Sequence, residues 1–190
     1  MADNIGNKAA HNYHLDVPVS HDGFYVKGND HCDWGMKNRL AKLFNEKSGN
    51  TVMLAFDHGY IMGPTSGLER VDLVIPQLAP YVDVLMGTKG IFRSCIPPTT
   101  PAANCVRVTY DSTVLYDDMS NGGGFSCDIE NAIRMNADCM AVQTFIGSAG
   151  ESRSLELLSR TADAGTRYEM CIRDRLSSLS NFDFNSVCGH

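Results

Sequence analysis

Long apolar runs are missing from this sequence: no stretch of its 190 residues approaches the roughly 20 that a membrane helix needs. The opening segment, MADNIGNKAAHNYHLDVPVS, has no apolar core of the kind that marks a secretory signal. These absences set the expectation of a cytoplasmic protein with no membrane partner. Clusters of positive charge are missing too. Lys and Arg number 16 against 22 Asp and Glu, for a net charge of −6, and they are scattered, which argues against a nucleic-acid surface. Seven cysteines occur without a C-x-x-C pair or a framework spacing, so they read as reduced thiols, and none is assigned to a metal or a disulfide. Lysine stops early. Lys8, Lys27, Lys37, Lys42, Lys47 and Lys89 are the complete set, and none follows residue 89.

What is present is an ordinary globular composition, 43% hydrophobic, enough for one sizeable core. Residues 1–30 are polar and read as an arm, in which His11, His14 and His21 lack ligand spacing and are expected to be solvated, as is His31 just beyond. Residues 33–44 read as a helix, because Met36, Leu40, Leu43 and Phe44 recur at helical spacing, with Trp34 as a packing anchor.

After that the pattern alternates. Strand candidates cover residues 51–56, 82–86, 105–110 and 138–146. Between them, Ser66-x-x-Glu69 reads as a capping box ahead of a stripe of Leu68, Val71, Ile75 and Leu78, with Pro76 ending or kinking the helix. Ser126 reads as an N-cap, and residues 151–164 as a helix that Gly165 stops. Strands alternating with helices imply βα units, a parallel sheet and right-handed crossovers. A (β/α)8 TIM barrel and an open doubly wound sheet both fit that pattern.

Strand parity helps to choose. In the first strand Thr51, Met53, Ala55 and Asp57 share one face, and Val52, Leu54 and Phe56 share the other. The bulky even face suits a layer of helices over residues 66–78. The odd face suits a crowded lumen that opens to solvent at Asp57, at the end where both architectures keep their sites.

Asp57-His58-Gly59 reads as general acid/base chemistry at a strand end, or as a loop-bracing cap beside a solvated imidazole. Gly87-Thr88-Lys89-Gly90 reads as a glycine-flanked turn with a solvated lysine rather than a phosphate loop or a nucleophile, and Asn121-Gly122-Gly123-Gly124 as a linker rather than an anion cradle. Arg107 interrupts an apolar strand and either pairs with an acidic lumen residue or binds phosphate; Gln143 is a similar case.

Asp33-Trp34-Gly35-Met36, TVMLAFDHGYIMGPTSGLER and VDVLMGTKGIFRSCIPP together resemble the DeoC/DhnA-type class I aldolase family, over about residues 30 to 165. The likeness is greatest to its thiolase branch, with class I fructose-bisphosphate aldolases next. The resemblance implies a (β/α)8 barrel, a lysine Schiff base and no metal. It implies a small phosphorylated ketone substrate (autoinducer-2 phosphate in the thiolase branch), coenzyme A as acetyl acceptor, no bound cofactor and a homo-oligomeric parent. Asp57 takes the position of the proton shuttle, His58 that of its substrate-facing neighbour, and Arg107 and Gln143 are weaker substrate-binding candidates.

The family needs about 250 residues for eight units. Four are expected here, so that residues 31–165 make the N-terminal half of a barrel and residues 166–190 a non-native tail with no convincing fifth strand beyond RYEMCI. The Schiff-base lysine is expected to be absent from this chain, which is then inert by itself. The competing expectation from another class is a complete, non-catalytic anion-binding α/β module.

Overall fold

The computed structural model describes residues 16–18, 26, 28–29, 31–63, 65–111 and 123–178. Most of the proposed arm, with His11, His14 and His21, lies outside the described residues, as do Asn121 and Gly122. His31 is exposed.

The first helix, α1 (Trp34–Leu43), starts where Asp33 accepts the Trp34 N–H at 2.7 Å, and its last turn closes on Phe44. Its apolar side, Met36, Leu40, Leu43 and Phe44, lies on a cluster built from Val84, Met86, Ala103, Cys105, Cys139, Ala141 and Cys171. Trp34 is not the anchor expected of it; at 73% exposure it points to solvent, because the buried stripe begins at Met36.

Five parallel strands follow one another across the main sheet: β1 (Met53–Ala55), β2 (Val84–Thr88), β3 (Ala103–Arg107), β6 (Cys139–Ile146) and β7 (Cys171–Ser178). Each new strand adds on the same side of the last. An open doubly wound sheet must reverse its order at a switch point; this one never does, and it forms a sector of a (β/α)8 barrel wall. The doubly wound alternative is thereby corrected. A fifth strand, β7, begins inside RYEMCI but runs beyond it, and pairs with β6 along eight residues, from Cys139↔Cys171 to Ile146↔Ser178. Main-chain pairing carries that strand, and main-chain bonds leave no mark on side-chain periodicity. A small antiparallel ribbon, β4 (Thr109–Tyr110) with β5 (Gly124–Phe125), folds over the end of β3.

Strand parity separates the two layers as expected. Met53 and Ala55 join the lumen cluster over α1, while Leu54 and Phe56 pack outward with Ile75, Val71 and Leu85. Val52 departs from its face and stays 56% exposed, one residue ahead of the strand.

The outer layer comprises α2 (His58–Met62), α3 (Val71–Leu78), α4 (Lys89–Cys95), α5 (Ile129–Arg134) and α6 (Glu151–Arg167), with a 3-10 turn at Ala79–Tyr81. Several expected helix ends move. Ser66 does not cap α3, because the chain turns at Gly67 (φ +90) and Glu69 accepts the Gly67 N–H instead; Leu68 still packs in the outer core, but Leu78 is exposed. Pro76 sits inside α3, which runs two residues past it before tightening into the 3-10 turn. Asp128, not Ser126, caps α5 by accepting the Asn131 N–H at 2.7 Å. Gly165 does not stop α6. It lies within the helix where a Cβ would clash with Ile172 Cδ1, so glycine here allows helix and β7 to approach.

The two glycine-rich stretches also differ from expectation. Gly87 and Thr88 end β2, and Thr88 Oγ1 caps α4 by accepting the Ile91 N–H, so Lys89 and Gly90 open a helix rather than a turn. Gly123 and Gly124 belong to the ribbon, not to a linker. At φ +70, a Cβ on Gly123 would strike the Tyr110 carbonyl, so the ribbon requires glycine there.

Candidate active site

The site lies at the opposite end of the sheet from α1. Ala55 pairs in register with Met86, and Thr88 with Arg107. Continuing the first register by two residues brings Asp57 level with Thr88 and therefore with Arg107. Two strand spacings, about 10 Å, separate the two backbones, a distance that arginine's long side chain crosses.

It does so along the lumen face. Arg107 Nη1 donates to Asp57 Oδ2 at 2.8 Å and Nη2 donates to Asp111 Oδ2 at 2.9 Å, while Nε donates to the Thr109 carbonyl at 3.0 Å. None of the three charged side chains is more than 2% exposed. A guanidinium forks between two acceptors in this way because its donors are planar and divergent. The Tyr60 ring, from α2, covers the other side, with Arg107 Cζ 5.5 Å from its centroid. Burial raises the Tyr60 phenol above its ordinary value, and the arginine opposes that rise.

The Asp111 carboxyl is perturbed. Burial pushes it up to about 6 from 3.8, against the pull of Arg107. Its second oxygen, Oδ1, is buried without a hydrogen-bond partner among the described residues.

Of the four residues singled out in the sequence, Asp57 and Arg107 meet directly. The Gln143 main chain touches the same stretch: its backbone N–H donates to the Thr109 hydroxyl at 3.2 Å. His58 opens α2 half-buried, and its Nδ1 is buried without a partner among the described residues. Asp111, Thr109 and Tyr60 were missed. A signal for Asp111 existed: a charge inside an apolar strand demands a counter-charge, and the next acid along the chain is Asp111. Among the described residues no group of three or more His, Cys, Asp or Glu could hold a metal ion.

Lys42 pairs with Asp138, just ahead of β6 at the α1 end, at 2.8 Å. Lys89 lies near enough to Cys127, in the outer layer, to oppose the rise that burial imposes on that thiol.

No protein-family model matches the chain. Individual proteins do. It is 46% identical over 170 residues to an uncharacterised aldolase of Pasteurella multocida, and 42% identical over the same length to the 3-hydroxy-5-phosphonooxypentane-2,4-dione thiolase of Photorhabdus laumondii. The thiolase of that name from Escherichia coli is 41% identical. Over most of its length the chain is similar to these aldolase and thiolase chains. Each alignment takes in 90% of the chain and 58% of the relative, so the chain spans little more than half the length of the curated relatives it matches.

Solved class I aldolases share its barrel fold. An archaeal fructose 1,6-bisphosphate aldolase superimposes with a TM-score of 0.62 over 73% of the chain and 56% of its own, at 20% identity. The fructose-bisphosphate aldolase of Slackia heliotrinireducens gives 0.63 over 84% and 56%, at 12% identity. At such identities the likeness is one of fold. No helix among the described residues is long and apolar enough to cross a membrane.

Proposed function

We propose that this chain carries the proton-transfer part of a class I aldolase-type thiolase, an enzyme that attacks a phosphorylated diketone through a lysine Schiff base and passes an acetyl group to coenzyme A. The observation that carries the reading is Asp57, buried at the lumen end of β1 and oriented by Arg107. Relatives named as such a thiolase, at 41–42% identity, support the choice of branch.

In this reading Asp57 moves protons as the carbinolamine forms and collapses. One buried oxygen is held by Arg107, which aims the carboxylate. His58 begins the adjoining helical turn and faces the substrate. Arg107 and Gln143 form the floor beneath the phosphorylated ketone. In this reading the Schiff-base amine is neither Lys42, which is paired with Asp138, nor Lys89, which is near Cys127, but a lysine of a protein with the full length of the relatives, cytoplasmic and homo-oligomeric.

A second reading, class I fructose-bisphosphate aldolase, has the support of the barrel likeness to enzymes of that name. The test is a protein of the relatives' full length, assayed with the phosphorylated diketone plus coenzyme A and separately with fructose 1,6-bisphosphate. Acetyl-coenzyme A that forms in the wild type and is lost in Asp57→Asn supports the thiolase. Cleavage of the bisphosphate alone supports the second reading, and activity on neither overturns both.

A further inference from the structure

A buried guanidinium has two parts to satisfy, its hydrogen-bonding edge and its flat faces. In Arg107 the edge is taken: Asp57, Asp111 and the Thr109 carbonyl accept from Nη1, Nη2 and Nε at 2.8, 2.9 and 3.0 Å. Acceptors at the edge leave the faces uncovered. Water reaching a face would raise the local dielectric and weaken both ion pairs.

Tyr60 covers one face, and the local fold puts it there. Asp57 is the N-cap of α2, and the Tyr60 N–H donates to the Asp57 carbonyl at 3.1 Å. Residues three apart in a helical turn lie on one side, so the turn that follows Asp57 carries the ring back over Asp57's own partner. The ring centroid stands 5.5 Å from Arg107 Cζ. The phenol oxygen accepts a hydrogen bond from the Asp111 main chain, which ties the far end of the ring beside the second acid. The three charged side chains beneath are at most 2% exposed, whereas Tyr60 is 38% exposed. The ring is a layer between the buried charges and the surface of the site.

We propose that Tyr60 is a positioning residue for the proposed chemistry: its ring, rather than its hydroxyl, keeps water off Arg107 and so holds the guanidinium fork on Asp57. The inference rests on the proposed proton-transfer role of Asp57. Ring and acids do not compete, because an aromatic face attracts the flat side of the cation while carboxylates take its edge. A phenol that acted on substrate directly would need its hydroxyl instead. Removing the hydroxyl and removing the ring therefore separate the two roles.

The test is proton exchange at the arginine guanidinium groups of the 190-residue chain, followed by ¹⁵N NMR in the wild type, Tyr60→Phe and Tyr60→Leu. The Arg107 signal is identified by its cross-peaks to the Tyr60 ring protons and by its loss in Arg107→Lys. It is expected to exchange more slowly than that of the exposed Arg134. Tyr60→Phe should stay within about twofold of the wild type, and Tyr60→Leu should exchange about tenfold faster. In a protein of the relatives' full length, kcat should fall about tenfold in Tyr60→Leu with little change in KM, while Tyr60→Phe keeps it. Arg107 protons as fast as those of Arg134 in the wild type, or unmoved by Tyr60→Leu, overturn the inference. So does unchanged turnover in Tyr60→Leu. A Tyr60→Phe variant as fast in exchange, or as slow in turnover, as Tyr60→Leu also overturns it, since the hydroxyl would then be the working part. If Tyr60→Leu folds poorly, Tyr60→Met takes its place, and the wild-type comparison with Arg134 stands without any variant. Exchange needs no catalytic activity: a failed thiolase reading would appear as a full-length wild type inactive on both substrates with this exchange pattern intact. Failure of the inference would appear as a changed pattern, or an unmoved kcat, with the wild type active.

Discussion

Asp57 and Arg107 are 50 residues apart in the chain and 2.8 Å apart in space, joined across the lumen face from the end of β1 to the end of β3. This contact links the catalytic candidate to the barrel wall, and most of what can be tested about the protein follows from it.

Asp57→Asn keeps the shape and removes the proton acceptor. In a protein of the relatives' full length, kcat should fall by about 10²–10⁴ with a modest change in KM, the pattern of a lost general acid/base. Steady-state kinetics measure it. A rate within a few-fold of wild type would make Asp57 a structural partner of Arg107 and nothing more.

Arg107→Met leaves two buried carboxylates without their common cation. Removing one member of a buried ion pair costs about 3–5 kcal/mol, to be read from urea unfolding at neutral pH. Arg107→Lys keeps the charge but loses the fork, so an intermediate loss is expected. A methionine variant as stable as wild type would show that the network contributes no stability.

The raised Asp111 carboxyl makes stability depend on pH. Its folded value of about 6 lies above the ordinary 3.8, so the folded chain binds this proton more tightly than the unfolded one. The stabilisation from this group is complete below the unfolded value and is lost as pH rises through the folded one. Urea midpoints should therefore decline over that interval, and Asp111→Asn should flatten the decline. An unchanged slope in the variant would assign the decline to other groups.

Schiff-base chemistry needs an amine that is unprotonated near neutral pH, against about 10.4 for an ordinary lysine. With Lys42 paired to Asp138 and Lys89 beside the outer layer, borohydride reduction with dihydroxyacetone phosphate should trap no stoichiometric adduct on the 190-residue chain. The same treatment of a protein of the relatives' full length should label one lysine. Intact mass and peptide mapping decide, and a saturable adduct at Lys89 would reverse the conclusion.

The sequence by itself determined what depends on local periodicity. Strands alternate with helices because apolar spacing switches between two and 3.6 residues, and Asp57 lies at the lumen end of its strand because it shares parity with Met53 and Ala55. Arg107, a charge in an apolar strand, called for either an acidic partner or a phosphate, and the acid is what the structure brings to it.

Only the tertiary structure decided which acids came, and in what order the strands lie. Asp57 reaches Arg107 through a register carried across β2, and Tyr60 covers the guanidinium from a separate helix; neither relation leaves a local trace. The same holds for β7, whose pairing is main-chain, and for Gly165, which reads as a helix stop until Ile172 is seen against it. Side-chain pattern records which face a residue occupies. It does not record which distant residue occupies the same level of the same face, because that is set by strand pairing over long sequence separations.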